Sequence, residues 1–408
     1  MNAFLKFVPM AALASVLALL GGCGGSGSGA SGGKATPQVI EKGKYLARAG
    51  DCAGCHTAGQ GAFAGGVPLQ TPFGVIYGTN ITPDKEHGIG NWSADDFYRA
   101  LHDGKSPQHQ LYPAMPYTSY RMLAREDSDA IYAYLMSVKP VAVANRENGM
   151  HFPFNLRFGM GVWKMLFLDD SLPDASKGQS VAWQRGRYLG NALGHCAECH
   201  TPRGMLGQMK NGEALAGSAL GRIAAPALTP AALAARGWTP KDLAALLATG
   251  VAPQGSVFDE MHTVVHLSTQ HLTAEDMQAL ATWLMGDQPP AAAALVPAQA
   301  GTTLAAGRKT YLAVCAGCHG REGEGKPNVA VAMLGNSSVR DANPRNLVVA
   351  TLDGIGEQRF PGNGAMQAMP GFARALSDQE IADLANFLRA SWGGQPASLT
   401  ADAVKALR

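Results

Sequence analysis

The sequence predicts a mainly α-helical protein built from three tandem domains of one plan. Two repeated features carry this prediction. The pattern Cys-x-x-Cys-His occurs three times in the 408 residues, at 52–56, 196–200 and 315–319. A thirteen-residue segment of one helical template follows each copy, at 123–135, 272–284 and 376–388. Recurrence of the same elements in the same order indicates repeated structural units.

The composition supports folded domains and excludes one class of partner. Hydrophobic residues make up 46% of the chain and charged residues 16%, so the chain can bury sizeable cores and is not disordered. Thirty-three basic residues against thirty-one acidic residues give a net charge of +2, with no basic run. Nucleic-acid binding depends on clustered Lys and Arg side chains, so we expect no nucleic-acid partner.

The N-terminus is predicted to be a signal peptide of the lipoprotein type, at residues 1–22. Its apolar run over 7–20 is shorter than the roughly twenty residues of a membrane span. The run ends in Leu-Gly-Gly-Cys23, which resembles the bacterial lipobox, so Cys23 is the expected lipid anchor. Cleavage nearby without acylation is the alternative. A tether rich in Gly and Ser is predicted to follow, at residues 23–37.

The Cys-x-x-Cys-His pattern is the attachment site of c-type haem. Two thiols at this spacing form thioethers with the porphyrin, and the following histidine ligates the iron. A redox Cys-x-x-Cys pair or half of a zinc site would also fit a single copy, but neither needs the histidine three times. We therefore expect three covalently bound haem c groups. The predicted attachment residues are Cys52, Cys55, Cys196, Cys199, Cys315 and Cys318, and the predicted iron ligands are His56, His200 and His319.

Each domain is predicted to contain a lead helix, the haem motif, a second helix and a closing helix. The second helices begin at the capping residues Ser93 and Thr239, and a weaker third copy spans 346–354. Ser377 and Glu380 form a capping box at the third closing helix. The apolar face of each closing helix is expected to pack against its lead helix. The lead helices contain Gly43 and Tyr45, Gly186 and Tyr188, and Gly307 and Tyr311.

This order of elements is that of a cytochrome c domain. The predicted boundaries are 38–140, 178–287 and 301–395 for the three domains, 141–177 for a connector, 288–300 for a Pro/Ala linker and 396–408 for a C-terminal tail. Aromatic residues in a connector are expected to pack over a neighbouring domain. A docking surface for a partner or for the membrane is the alternative. The connector aromatics are Phe152, Phe154, Phe158, Trp163 and Phe167.

A haem that only carries electrons needs a sixth ligand, and methionine is the usual one in cytochromes c. The predicted sixth ligands are Met115, Met261 and Met369. Met115 and Met261 each stand eleven residues after the glycine that follows the second helix. Met369 is followed by proline, as Met115 is. The alternatives are His262 or His266 for the second haem and Met366 for the third.

Three segments carry a resemblance to a known family: FGVIYGTNITPD at 73–84, GIGNW at 88–92 and LYPAMPY at 111–117. They resemble the tri-haem cytochrome c subunit of bacterial membrane-bound dehydrogenases of the alcohol, gluconate, sorbitol, fructose and FAD-dependent glucose types. The resemblance runs over nearly the whole mature chain. It implies an electron-transfer subunit that is not an enzyme on its own. Such a subunit passes electrons from a flavoprotein or quinoprotein catalytic subunit to ubiquinone or a terminal oxidase.

The resemblance also implies a place at the periplasmic face of the membrane and a catalytic dehydrogenase subunit as partner, and it allows a small third subunit. It makes Arg203, in the Thr-Pro-Arg that follows the second motif, a candidate partner of a haem propionate. Three alternatives stay open. One is the cytochrome subunit of a molybdenum hydroxylase. The others are a multi-haem peroxidase and a haem-based sensor, both of which need an open iron position.

Overall fold

The computed structural model describes residues 35–168, 178–296, 304–362 and 364–408. The predicted signal peptide, most of the tether, and Cys23 lie outside these residues, as do the end of the connector and part of the linker. The described chain is mostly helical, which confirms the predicted class, and its short strands pair antiparallel. No helix among the described residues is long and apolar enough to cross a bilayer. We refer to 38–140, 178–287 and 301–395 as the first, second and third repeats.

The first repeat surrounds the first Cys-x-x-Cys-His motif with helices and one strand pair. Its helices are α1 (Pro37–Ala49), α2 (Cys52–His56), α3 (Ala94–His102), α4 (Tyr117–Tyr120) and α5 (Arg125–Ser137). Strands β1 (Pro68–Thr71) and β2 (Gly74–Tyr77) pair with Leu69 opposite Ile76. Ser93 caps α3 as predicted: its hydroxyl accepts from the Asp96 amide, and the Asp96 carboxylate accepts from the Ser93 amide.

The connector adds strand β3 (Gly149–Met150) beside β2 and then forms helix α6 (Gly159–Phe167). The ring of Phe154 lies 4.5 Å from that of Phe73, between centroids, and Trp163 is buried. In contrast, Phe152 and Phe158 are 79% and 77% exposed. Packing over the first repeat is therefore correct for one part of the connector, while the other part is open to solvent.

The second repeat follows the order of the first. Its helices are α7 (Val181–Arg187), which continues as a π-helical turn over Tyr188–Leu193, then α8 (Ala197–His200), α9 (Pro230–Ala235), α10 (Pro240–Thr249), α11 (Glu260–Leu267) and α12 (Ala274–Met285). Its strand pairs are β4 (Ser218–Leu220) with β5 (Ile223–Ala225) and β6 (Val251–Ala252) with β7 (Gly255–Ser256). Thr239 caps α10 and Gly250, at φ 78°, ends it, both as predicted.

The third repeat ends in the longest helix of the described chain. Its helices are α13 (Ala305–Val314), α14 (Ala316–His319), α15 (Ser337–Arg340), α16 (Arg345–Asp353) and α17 (Asp378–Trp392), and its strand pair is β8 (Gln358–Phe360) with β9 (Gly364–Met366). The predicted capping box between Ser377 and Glu380 is present. The C-terminal tail forms α18 (Ala401–Lys405), whose Val404 is fully buried in the core of this repeat.

In each repeat the lead helix crosses the closing helix at a glycine. An ideal β-carbon on that glycine would overlap a backbone carbonyl oxygen of the closing helix, so only glycine permits the approach. The pairs and the β-carbon to oxygen distances are Gly43 with Ala130 (1.8 Å), Gly186 with Ala279 (1.9 Å) and Gly307 with Asp383 (2.0 Å). The aromatic residues that recur in the closing template also lie at this crossing: Tyr134, Trp283 and Phe387. The predicted packing of lead and closing helices is confirmed.

The first two repeats share one hydrophobic core, and the third repeat has its own. Leu46 of α1 and Leu280 of α12 belong to the same buried cluster. The core of the third repeat contains Leu384 and residues of α13, α16 and α18. Ion pairs cross the border between the second and third repeats: Arg236 with Asp341 at 2.8 Å and Arg222 with Asp353 at 2.7 Å.

Candidate metal centres

Each Cys-x-x-Cys-His motif forms a short helical turn directly after its lead helix. The turns are α2, α8 and α14. Positions i, i+3 and i+4 of a helix lie on one face, so the turn brings both thiols and the imidazole to the same side. None of the six motif cysteines forms a disulfide. The fold therefore repeats the same local donor arrangement three times.

The thiols of the first two motifs do not have the lowered pKa of a redox pair. Burial raises the pKa of Cys52, Cys55 and Cys196 to about 12 and that of Cys199 to about 11. Redox-active Cys-x-x-Cys pairs have a lowered thiol pKa, because the thiolate is the reactive species. Among the residues that the structure describes, no group of three or more His, Cys, Asp or Glu side chains could hold a metal ion. These thiols fit covalent attachment better than either alternative.

Backbone carbonyl groups determine which ring nitrogen of each motif histidine carries the proton. Each Nδ1 lies within hydrogen-bond distance of a carbonyl oxygen: His56 and Thr79 at 2.6 Å, His200 and Pro226 at 2.7 Å, and His319 and Val331 at 2.9 Å. A carbonyl oxygen only accepts, so Nδ1 carries the proton and the Nε2 lone pair is left for a metal. Burial also lowers the pKa of all three imidazoles, which favours the neutral form that binds iron.

These carbonyl partners were not among the residues expected from sequence. A backbone acceptor can belong to any residue type, so its side chain gives no direct signal. One indirect signal exists: Thr79 and Pro226 each stand three residues before a Thr-Pro pair, at 82–83 and 229–230. Val331 of the third repeat has no such pair after it. The position of a Thr-Pro pair therefore identifies two of these three acceptors.

The donors of the third repeat line one cavity of about 200 Å³. Its walls include Leu347 of α16 and Leu384 and Leu388 of α17, so the cavity is largely apolar. Two thiols, one imidazole and two thioether sulfurs open onto it, from Cys315, Cys318, His319, Met366 and Met369. This donor set fits a covalently attached haem with sulfur as the sixth ligand. Both methionines that the sequence offered are at the site.

The other two candidate methionines are half-buried against the shared core. Met115 lies between α3 and α4, and Met261 lies in the first turn of α11. Met261 also packs in a small cluster with Phe360 of the third repeat. The competing ligand His262 has its Nε2 3.0 Å from the carbonyl oxygen of Arg359, to which it donates a hydrogen bond. The Nε2 of His262 is therefore already engaged at the border with the third repeat.

Arg203 has a carboxylate partner within the protein. Its guanidinium is 2.5 Å from the carboxylate of Glu198 and also donates to the carbonyls of Glu198 and Gly207. Glu198 lies inside the second motif and accepts hydrogen bonds from Thr118 and Ser119 of the first repeat. Glu198 thus ties the second motif to the first repeat, while the pairing of Arg203 with a haem propionate stays a prediction.

Residues beside the first and second motifs meet at the border of the first two repeats. The hydroxyl of Tyr120 donates a hydrogen bond to the carbonyl of Gly50, just ahead of the first motif. The ring of Tyr120 lies 5.6 Å from the ring of His195, between centroids. His195 directly precedes the second motif, as Asp51 precedes the first. Both residues have a positive φ, 38° and 50° respectively. The same unusual backbone conformation therefore enters both motifs.

Comparison with known proteins agrees with this geometry. The family model described as cytochrome c matches residues 40–139 and 304–392. The cytochrome c subunit of the quinone-type alcohol dehydrogenase of Gluconobacter oxydans is 37% identical, over 92% of this chain and 83% of the relative. The cytochrome c subunit of gluconate 2-dehydrogenase of Pantoea cypripedii is 36% identical, over 92% and 90%. One of the nicotinate dehydrogenase subunits of Pseudomonas putida is 39% identical over 88% of this chain, which spans 30% of that longer protein.

The first two relatives are similar to this chain over most of the length of both aligned chains. Two of the three repeats match the cytochrome c model directly, and the resemblance of the FGVIYGTNITPD segment pointed to the same proteins. The chain belongs to the family of cytochrome c subunits of membrane-bound dehydrogenases, which includes the subunits of alcohol and gluconate dehydrogenases.

Proposed function

We propose that the chain is the electron-transfer subunit of a periplasm-facing dehydrogenase complex. It would accept electrons from a flavoprotein or quinoprotein catalytic subunit and deliver them to ubiquinone or a terminal oxidase. The observation that carries the proposal is the triple histidine arrangement, in which a backbone carbonyl holds each Nδ1 proton and leaves each Nε2 free. The relatives named as cytochrome subunits of dehydrogenases support the same role.

We propose that the second repeat, at 178–287, is a third cytochrome c domain between the two that match the family model. Three features support this. Its lead and closing helices cross at Gly186 as the others do at their glycines. Its second helix begins at a capping threonine. Its His200 donates to a backbone carbonyl as His56 and His319 do.

The residues of this chain would have different roles at each haem site. The cysteine pairs hold the group covalently, His56, His200 and His319 provide the fifth ligand, and Met115, Met261 and Met369 provide the sixth. When bound, haem c supplies one-electron oxidation and reduction. A sulfur ligand on the open side of each group would exclude substrates and gases, so the chain would conduct electrons and oxidise no substrate itself.

Reduction by a catalytic partner tests this role. The purified full-length haem protein is mixed with a flavoprotein or quinoprotein dehydrogenase subunit that copurifies with it, and the reduced haem bands are followed by stopped-flow absorbance. We expect reduction only when both the catalytic subunit and its substrate are present, and reoxidation by a ubiquinone analogue. Oxidation of substrate by this chain alone, or a carbon monoxide shift in the wild-type protein, would support a peroxidase or sensor and contradict the relay.

A second candidate partner is a molybdenum hydroxylase, which the tri-haem layout leaves open. The relative named as a nicotinate dehydrogenase subunit, 39% identical over 88% of this chain, supports a catalytic partner that acts on another class of substrate. Copurification separates the two candidates. A catalytic subunit that contains molybdenum supports the second, and one that contains flavin or quinone supports the first.

Anchoring through Cys23 is part of the proposal and concerns a residue outside those that the structure describes. The lipobox-like Leu-Gly-Gly-Cys supports it. Mass spectrometry of the N-terminal peptide should show an acylated cysteine as the first mature residue. A mature N-terminus at any later residue would contradict the anchor.

A further inference from the structure

The connector presents a group of apolar side chains to solvent, which we call the connector patch. It consists of Phe152, Phe158, Val162, Met165 and Leu166, with exposed fractions of 79%, 77%, 51%, 77% and 61%. Outside it, several exposed large apolar residues occur singly in the described chain, as is normal for a protein surface. A concentration of five within fifteen residues marks an interaction surface.

The patch is held rigidly, because the opposite side of α6 is fixed to the body of the protein. Trp163 is 8% exposed, and its indole nitrogen donates to the carbonyl of Leu206 at 2.9 Å. The ammonium of Lys164 donates to the carbonyl of Asp103 at 2.7 Å and to the Gln110 side chain. The helix therefore cannot turn over to bury its apolar side. Its outward face is preformed.

The loop that receives the Trp163 hydrogen bond enlarges the patch. Met205 and Leu206, beside that carbonyl, are 93% and 47% exposed. The apolar surface thus continues from the connector onto the second repeat. It consists of protruding Phe, Met and Leu side chains, which are suited to insertion among acyl chains and headgroups.

The charges of the connector favour an anionic surface as the occupant. The segment from Gly149 to Leu168 has no Asp or Glu and contains two cations, Arg157 and Lys164, of which Lys164 is turned towards the body of the protein. The guanidinium of Arg157 lies 4.7 Å from the ring centroid of Tyr112, so this cation is fixed near the patch. Apolar and aromatic side chains beside basic residues, with no acidic residue, are typical of a helix that lies on anionic lipid.

The position of the expected anchor points to the same occupant. Twelve residues separate Cys23 from Thr36, the N-cap of α1. A chain of that length spans at most about 45 Å. An acylated Cys23 would therefore hold the folded body at a bilayer, where even weak contacts of an exposed patch are effective because the local concentration of lipid is high.

We propose that the connector patch is a second membrane contact, which inserts Phe158, Met165 and Leu166 into the surface of an anionic lipid bilayer. The inference deepens the proposed function, because it rests on a location at the membrane face. Contact through a fixed helix would set the orientation of the body on the membrane. A lipid anchor on a tether cannot do so alone.

Vesicle binding without the anchor tests the proposal. The full-length mature haem protein with Cys23→Ser is sedimented with vesicles of phosphatidylethanolamine and phosphatidylglycerol at low salt. We expect it to bind, and we expect Met165→Glu with Leu166→Glu to reduce the bound fraction at least tenfold. The matched control is Val181→Glu, since Val181 is 87% exposed on α7 and lies outside the patch. It should bind like the parent.

Two results would overturn the proposal. The first is that the Cys23→Ser protein does not bind vesicles, or that the double substitution leaves its binding unchanged. The other is a double variant that binds vesicles normally but no longer copurifies with the catalytic subunit, which would make the patch a protein interface. Unchanged haem spectra and melting temperature show that each variant is folded. Vesicle binding needs no electron transfer, so failure of the relay would be seen separately.

Discussion

The hydroxyl of Tyr45 in the first repeat donates a hydrogen bond to the carboxylate of Asp276 in the second, at 2.5 Å. The reverse contact has the same length: Tyr188 of the second repeat donates to Asp127 of the first. Tyr45 and Tyr188 occupy equivalent places in their lead helices, as Asp127 and Asp276 do in their closing helices. The first two repeats are thus joined like the subunits of a symmetric dimer, in which each contact occurs twice.

Removing these contacts should destabilise the protein. A hydrogen bond to a charged group contributes about 1.5–3 kcal/mol. Arg185 links the two pairs, because it is ion-paired with Asp276 and lies over the ring of Tyr188, so the two effects should not be strictly additive. We expect Tyr45→Phe and Tyr188→Phe each to lower the free energy of unfolding by about 1.5 kcal/mol, near the lower end of that range because each carboxylate keeps a cationic partner. Denaturant titration of the haem protein measures this. Tyr98→Phe, at a ring stacked on His102 within the first repeat, is the control.

The pairing of Asp276 predicts loss of stability in acid. Burial raises its pKa, but hydrogen bonds from Arg185 and Tyr45 outweigh burial, and the pKa ends below the ordinary 3.8. A carboxyl with a lowered pKa in the folded state stabilises the fold above its unfolded pKa, and this contribution disappears as the pH falls through the folded pKa. We expect Asp276→Asn to be less stable than wild type at pH 7. The difference should shrink below about pH 4, and a constant difference would contradict the assignment.

Three covalent haems are expected, one for each motif. The intact mass of the mature protein should exceed that of the polypeptide by three haem groups. Replacing Cys196 and Cys199 with serine should leave two, because those thiols form the thioethers of the second repeat. If fully matured wild-type protein carried only two haem groups, one motif would be empty. The serine variant would then show whether the empty motif is the second, because its haem count would stay at two.

Met261 is expected to ligate the second haem through its sulfur. Met261→Ala should remove one sulfur–iron charge-transfer band and open one of three haems to carbon monoxide. His262→Ala is the matched control, since the Nε2 of His262 donates to the carbonyl of Arg359 and should not reach iron. The opposite outcome, a spectral change in the histidine variant alone, would assign the site to two histidines, whose stronger donation lowers the potential.

In the third repeat the expectation is that Met369, and not Met366, binds iron. Both line the same cavity, so substitution has to separate them. The Met369 amide and carbonyl both pair with Ile355, which fixes its backbone beside the cavity. We expect Met369→Ala to open one haem to carbon monoxide and Met366→Ala to leave all three closed. Ligation would belong to Met366 if the results were reversed.

Local features of this fold could be predicted from sequence, and contacts between repeats could not. The caps at Ser93 and Thr239 depend on residues within one turn, and the glycine crossings follow from a repeated pattern. Pairing of Tyr45 with Asp276 depends on how two domains meet, which no local pattern specifies. The connector shows the same limit: composition identified its aromatic residues, but only the fold separates buried Trp163 from exposed Phe158.

The division of most of the interior into two cores has a practical consequence for the engineering of chimeras. The third repeat keeps its own large buried cluster. Its border with the second repeat consists of a small apolar cluster around Phe360 together with ion pairs such as that between Arg222 and Asp353. It is therefore a natural unit of exchange among related chains. A chimera that receives a foreign third repeat, with both partners of each border pair retained, should change the reduction potential of one haem and leave the other two repeats intact.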